Sequence, residues 1–222
     1  MTKPPLVVPI FATPLAVVDI DASPDLRAQL AGLLSSRATP EYRDPRAPAD
    51  PLCFVSREDF FDWQVEAAGL LRRQMLVGVC TVVMAASSYT QAEFEALKVQ
   101  ARARFAIVRP NGCLPAATAP MASWYALYCV AAPAPVPERV DSGALRLYGV
   151  RHGTMFKDAS NARPRTPYGD SHYLWRPVAG EMAVFPASIL HEVALNRAQT
   201  DLVLVMARVR FAHGGEGATP PW

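Results

Sequence analysis

The spacing of apolar positions divides the chain in two, helical in its first half and strand-like in its second. Residues 6–20 read as one or two short strands punctuated by Pro9 and Pro14. Ser23-Pro24-Asp25 is a helix start, with serine as N-cap, proline at the first helical position and a carboxylate at the positive end of the dipole. Leu26, Leu30 and Leu33 follow on one face, and the polar stretch from Ser36 to Pro51 reads as a loop. Ser56-Arg57-Glu58-Asp59 predicts a second helix behind a variant capping box, with Phe60, Trp63, Ala67 and Leu70-Leu71 as its apolar stripe. The apolar run from Leu76 to Ala86 fits a helix or a buried strand. Thr90-Gln-Ala-Glu93 is a further capping box, leading a helix with Phe94, Leu97 and Ala101 on one side.

From there the period shortens. Phe105–Val108 is a short strand closed by the turn Pro110-Asn111-Gly112, and Trp124–Val130 is dense enough to be buried on both faces. Pro133–Pro137 is a loop, and Leu145–Val150 alternates as a half-exposed strand. Residues 157–171 are polar and fit a long loop beside a pocket. Tyr173–Val178 and Met182–Phe185, parted by Ala179-Gly180, predict a hairpin, and Leu202–Phe211 predicts the last long strand. The expectation is one domain over 1–212, with strands and a helical layer to 103, a jelly-roll core over 104–212, and a tail from 213.

Composition narrows the function classes. The chain has 222 residues, 51% hydrophobic and 19% charged, with a net charge of +2, so it can bury a core and carries no basic stripe for nucleic acid. The start lacks a continuous apolar signal-peptide core, and no uninterrupted apolar run reaches membrane-spanning length, so no membrane role is expected. The 21 prolines favour a loop-rich β architecture. Cys53, Cys80, Cys113 and Cys129 lack Cys-x-x-Cys spacing, and the apolar runs around three of them suit reduced thiols in a cytoplasmic protein.

One segment carries the candidate chemistry. In Val178–Asn196, an apolar run ending at Pro186 delivers His191 just before Glu192-Val193. The pattern G-x-M-x-V-F-P-x-x-x-x-H-x-V-x-x-N resembles the distal-histidine segment of the 2-oxoglutarate/iron(II) oxygenases, the prolyl-hydroxylase-like group. Ile10-Phe-Ala-Thr-Pro-Leu15, Ser142-Gly-Ala-Leu-Arg-Leu147 and Val184-Phe-Pro-Ala-Ser188 resemble other phrases of that family. The resemblance implies a mainly β fold with α, a cupin-like double-stranded β-helix (jelly roll) packed on N-terminal helices. It also implies Fe(II) and 2-oxoglutarate as cofactors, the iron held by two histidines and a carboxylate or a third histidine.

Carried onto this chain, the family's His-x-His ligand pair, laid on Pro120 and the aromatic strand, falls on Ala117 and Ala119. Its Arg-x-Ser, which binds the distal carboxylate of 2-oxoglutarate, falls on Asp201-Leu202-Val203. Only His191, with Asn196 after it, is retained. The expectation is therefore a degenerate oxygenase, acting as a binding or accessory protein in a biosynthetic or modification pathway. The alternative is an enzyme, with a metal site rebuilt from His152, His172 and His191 or with metal-free acid/base chemistry at His191. For the latter, Tyr125, Tyr128, Glu192 and Asp201 are possible partners. Tyr125, Tyr128, Arg151, Asp201 and Arg208 are the candidate substrate-binding residues. Arg208 shares a face with Arg210, and Asp201 is its candidate carboxylate partner. A small molecule or peptide in the pocket, a protein partner and a homodimer are the open partner classes.

Overall fold

A computed structural model describes residues 12–20, 23–149 and 172–213. Among these residues, ten strands form two antiparallel sheets. In chain order the elements are β1 (Ala16–Asp19), α1 (Pro24–Ser36), β2 (Cys53–Val55), a 3-10 turn (Phe60–Asp62), α2 (Glu66–Ala85), α3 (Gln91–Glu95), β3 (Leu97–Val108) and β4 (Leu114–Ala117). They continue with β5 (Trp124–Ala131), β6 (Leu145–Tyr148), β7 (His172–Trp175), β8 (Glu181–Pro186), β9 (His191–Val193) and β10 (Leu202–His213). One sheet runs β1-β8-β5-β10-β3-β2 and the other β4-β9-β6-β7. The central eight strands make a jelly roll, with β1 and β2 as added edges of the larger sheet.

Strand alternation sorts the side chains into two cores. On β10, Val203, Val205, Ala207 and Val209 join Ala103, Phe105 and Ile107 of β3 and Tyr128 of β5 beneath the helices. Leu202, Leu204 and Met206 turn the other way, into a second core between the sheets with Leu127, Cys129, Leu145 and Phe185. α1 and α2 cover the first face: Leu26, Leu30 and Leu34 are the buried stripe of α1, and Leu71, Met75 and Val79 are buried on α2. In composition α2 is long and apolar enough to cross a membrane, yet nearly half of it is buried within the fold, as in a core helix.

Several elements differ from the sequence expectation. The Ser23 cap forms, its side chain accepting from Leu26 N–H, but the buried stripe of α1 is Leu26, Leu30 and Leu34, and Leu33 is only partly buried. Ser56 caps no helix. Its hydroxyl instead accepts from Phe105 N–H at 2.9 Å and donates to the Arg57 carbonyl, tying β2 to β3, while α2 begins only at Glu66. The run from Leu76 belongs to α2. The Thr90–Glu93 capping box forms, but α3 lasts five residues, and Leu97 and Ala101 belong to a β3 that starts eight residues before Phe105. β7 and β8 are no hairpin: β7 pairs with β6 in the small sheet, and β8 pairs with β5 and β1 in the large one. The Ala179-Gly180 turn thus carries the chain between sheets, with Gly180 at φ 100°, a conformation side chains disfavour.

Asn196 fastens the loop before β10. Its buried amide donates to the carbonyls of Val108 and Thr200 and accepts from Ala198 N–H. Asn196→Ala leaves these groups buried without partners and should destabilise the fold by about 2 kcal/mol or more. Urea denaturation of the variant against wild type measures this.

Candidate functional site

His191 opens β9 because Pro186 ends β8 and a short turn, Ile189 N–H to Pro186 carbonyl, reverses the chain. Its register partners are Ala117 on β4 and Leu147 on β6, so these three side chains share the inner face of the small sheet. The ring is 8% exposed and packs on Tyr125 and Phe185, with centroids 4.6 and 5.1 Å away. Nδ1 lies 2.9 Å from the Ile189 carbonyl. A carbonyl only accepts, so the neutral ring carries its proton on Nδ1 and keeps a lone pair on Nε2. Burial, together with the positive charge of Arg104, moves the imidazole below its ordinary pKa, against the Ile189 bond.

A cavity of about 340 Å³ opens beside this ring, between the sheets. Its apolar wall includes Leu127, Val193, Met206 and Val55, and Ala117 and Ala119 stand where longer side chains would fill it. Its polar side is ionic. Arg208 of β10 forms an ion pair with Glu58 and donates to the Pro120 carbonyl at 3.0 Å; both partners of the pair are largely buried. Asp44, also buried, binds Arg46 through both oxygens at 3.3 and 3.5 Å and lies 3.9 Å from Arg104 of β3. Burial works to raise the Asp44 carboxyl, but the hydrogen bonds from Arg46 and the charge of Arg104 outweigh it and hold it below the usual range. Tyr125 lines the same cavity as Arg104, and burial pushes its hydroxyl above its ordinary pKa.

The structure gathers some expected site residues and scatters others. His191, Tyr125 and Arg208 line the cavity together. Tyr128, one residue out of phase with Tyr125 and Leu127 on β5, points beneath the helices, where burial pushes its hydroxyl up to about 12. Asp201 is exposed ahead of β10 and does not partner Arg208; Glu58 does. The Glu192 carboxylate pairs with Arg146, which faces it across β6, away from the imidazole. His172 pairs in register with Tyr148, one step from Leu147, so it lies on the opposite face of the small sheet from His191 and is exposed. Arg151 and His152 lie outside the described residues.

Arg104, Glu58 and Asp44 were not expected at a site. The alternation Arg102-Ala-Arg104-Phe-Ala-Ile-Val108 carried the signal for Arg104, once β3 is read as beginning before Phe105. Glu58 read as a helix cap, and Asp44 sat in a polar loop. The buried cysteines do not contribute: burial pushes the Cys53 and Cys129 thiols up to about 12, far from a reactive thiolate.

No protein-family profile matches the sequence, and no curated protein matches it either. Solved structures do match in fold. The carbocyclase SnoK from nogalamycin biosynthesis, a non-heme alpha-ketoglutarate-dependent enzyme, superposes with a TM-score of 0.61 at 10% identity, over 89% of this chain and 80% of that one. AviO1 from Streptomyces viridochromogenes superposes at 0.57 with 16% identity, over 95% and 93%. A Pseudomonas putida prolyl-4-hydroxylase superposes at 0.54 with 18% identity, over 88% and 91%.

Enzymes of this fold that use iron hold it on the distal histidine and a ligand pair across from it. The described residues do not fit that ion. The register partners of His191 are Ala117 and Leu147, and among the described residues no three His, Cys, Asp or Glu side chains stand close enough to share a metal. Nor do they fit a second carboxylate at the start of β10, where Leu202 and Leu204 turn inward.

Two expectations follow from this geometry. Because His191 is buried neutral, the unfolded chain binds a proton more readily than the folded one. Stability is then fully present above the ordinary histidine pKa of 6.5 and falls as pH drops below it towards the lowered folded value. Thermal melts between pH 7.5 and 5 should show this slope, and His191→Gln should flatten it. Glu58→Leu leaves Arg208 buried without its carboxylate and should cost about 3 kcal/mol, much of it regained in Glu58→Leu/Arg208→Met; a double-mutant cycle by denaturation checks both. By the course of its strands and its structural neighbours, the chain has the fold of the 2-oxoglutarate/iron(II) oxygenases, the prolyl hydroxylases among them.

Proposed function

We propose that this chain is a pseudo-oxygenase, a binding or accessory protein that keeps the pocket of the oxygenase fold without its iron chemistry. The observation that carries the reading is the register of β4 on β9, which sets Ala117 directly opposite His191. A methyl group offers iron no lone pair, and one imidazole alone would hold Fe(II) weakly. The acidic Asp201 and inward Leu202 at the start of β10 add an independent reason, since a 2-oxoglutarate carboxylate there would meet an acid and an apolar side chain. A biosynthetic setting suits the reading, because one structural neighbour belongs to nogalamycin biosynthesis.

A second reading, metal-free acid/base catalysis, is favoured by one feature. His191 is kept neutral with its Nε2 lone pair unspent, beside a cavity and against Tyr125. In that version His191 is the base, and the rate rises with pH through its lowered pKa, is flat at neutrality and is lost in His191→Gln.

The leading reading predicts no turnover of the co-substrate. With Fe(II), ascorbate, oxygen and 2-oxoglutarate, succinate followed by NMR should not exceed the protein-free background. Succinate formed at a rate that His191→Ala abolishes would overturn the pseudo-oxygenase.

A further inference from the structure

We infer that the cavity between the sheets binds a small monoanion, typically a monocarboxylate on an apolar body, with its charged end on Arg104 and Tyr125 beside His191. The inference rests on the reading that iron does not occupy this space, and it names the ligand class.

Charge balance leads to it. Three guanidiniums, on Arg46, Arg104 and Arg208, border the cavity, with the carboxylates of Asp44 and Glu58 against them. Glu58 is taken by Arg208, and Asp44 is taken by Arg46 through both oxygens. Glu192 also borders the cavity, but its carboxylate is held by Arg146. Arg104 is left 3.9 Å from Asp44, beyond hydrogen-bond reach, with only about a third of its side chain exposed. A guanidinium has five N–H donors in a planar fork that suits a carboxylate, and the long contact to Asp44 leaves that fork open to one. The Tyr125 hydroxyl, on the same cavity, has a proton to donate to an anion. Among the described residues lining the cavity, three guanidiniums thus share the two carboxylates of Asp44 and Glu58.

The rest of the cavity sets the body of the ligand. Beyond Arg104 the walls are Leu127, Met206, Val193 and Val55, and Ala117 and Ala119 widen the space next to the imidazole. An apolar body gains from that burial, whereas a second carboxylate at the far end would be buried against those apolar walls. The pocket should thus prefer hexanoate or phenylacetate to the dicarboxylate 2-oxoglutarate.

Isothermal titration of the full chain with hexanoate, phenylacetate, hexanamide and 2-oxoglutarate tests this without added metal. Hexanoate and phenylacetate should bind, with hexanamide and 2-oxoglutarate each weaker by about tenfold or more. Arg104→Met should weaken hexanoate by about the same factor, Arg104→Lys and Tyr125→Phe by less, and Arg210→Met, on β10 outside the cavity lining, should leave it unchanged. Hexanamide binding as well as hexanoate, 2-oxoglutarate binding more tightly, or a folded Arg104→Met variant binding normally would each overturn the inference. The wild-type comparison of probes stands even if Arg104→Met does not fold. Failure here leaves the pseudo-oxygenase reading intact, because succinate release is measured separately; succinate release would remove that reading while leaving the monoanion data to be judged alone.

Discussion

β10 is bonded on both sides, to β3 along its whole length and to β5 over Val203–Val209. That double pairing fixes which face every side chain of three strands presents, because a slip of one residue would exchange the two faces. With the register as it stands, valines and Ala207 meet the helices, and leucines, Met206 and Arg208 meet the second sheet. The same register sets Arg104 across from Met206, and Tyr125 across from Arg208. The ionic side of the cavity is thus a consequence of strand pairing more than of any local motif.

Within that frame two kinds of polar group are placed at different cost. The Arg208–Glu58 pair and the Asp44–Arg46 contact satisfy their own charges, which is what permits burial. His191 satisfies one nitrogen on the Ile189 carbonyl and stays neutral, avoiding the larger cost of a buried imidazolium next to Arg104. Arg104 shares Asp44 with Arg46 at longer range, 3.9 Å, and borders the cavity. An iron centre at this place would need anionic or imidazole donors opposite His191, and the small side chains there supply cavity instead of coordination.

Much of the fold was legible in the sequence, because strand runs and caps act locally. Ser23 and Thr90 cap their helices as their spacing indicates, and Trp124–Val130 and Leu202–Phe211 are strands. The errors fall where distant pairing decides. Leu97 and Ala101 fit a helical stripe, yet β10 offers them a twelve-residue ladder, and they are strand. Ser56 resembles a cap but is claimed by Phe105 N–H, forty-nine positions away in the chain. The site was half legible: His191 and its alanine counterparts follow from the motif and one proline anchor. Asp44 and Glu58 come from a loop and a turn ahead of the jelly roll, and no spacing rule ties them to β3 or β10.

The account stands most directly on whether His191 can anchor iron. Anaerobic Fe(II) titration of the full chain, with and without 2-oxoglutarate, on wild type and His191→Ala, measures it. Weak binding that neither 2-oxoglutarate nor the substitution alters is the predicted result. Tight binding that the co-substrate strengthens and His191→Ala abolishes would contradict the account and return the chain to the iron oxygenases.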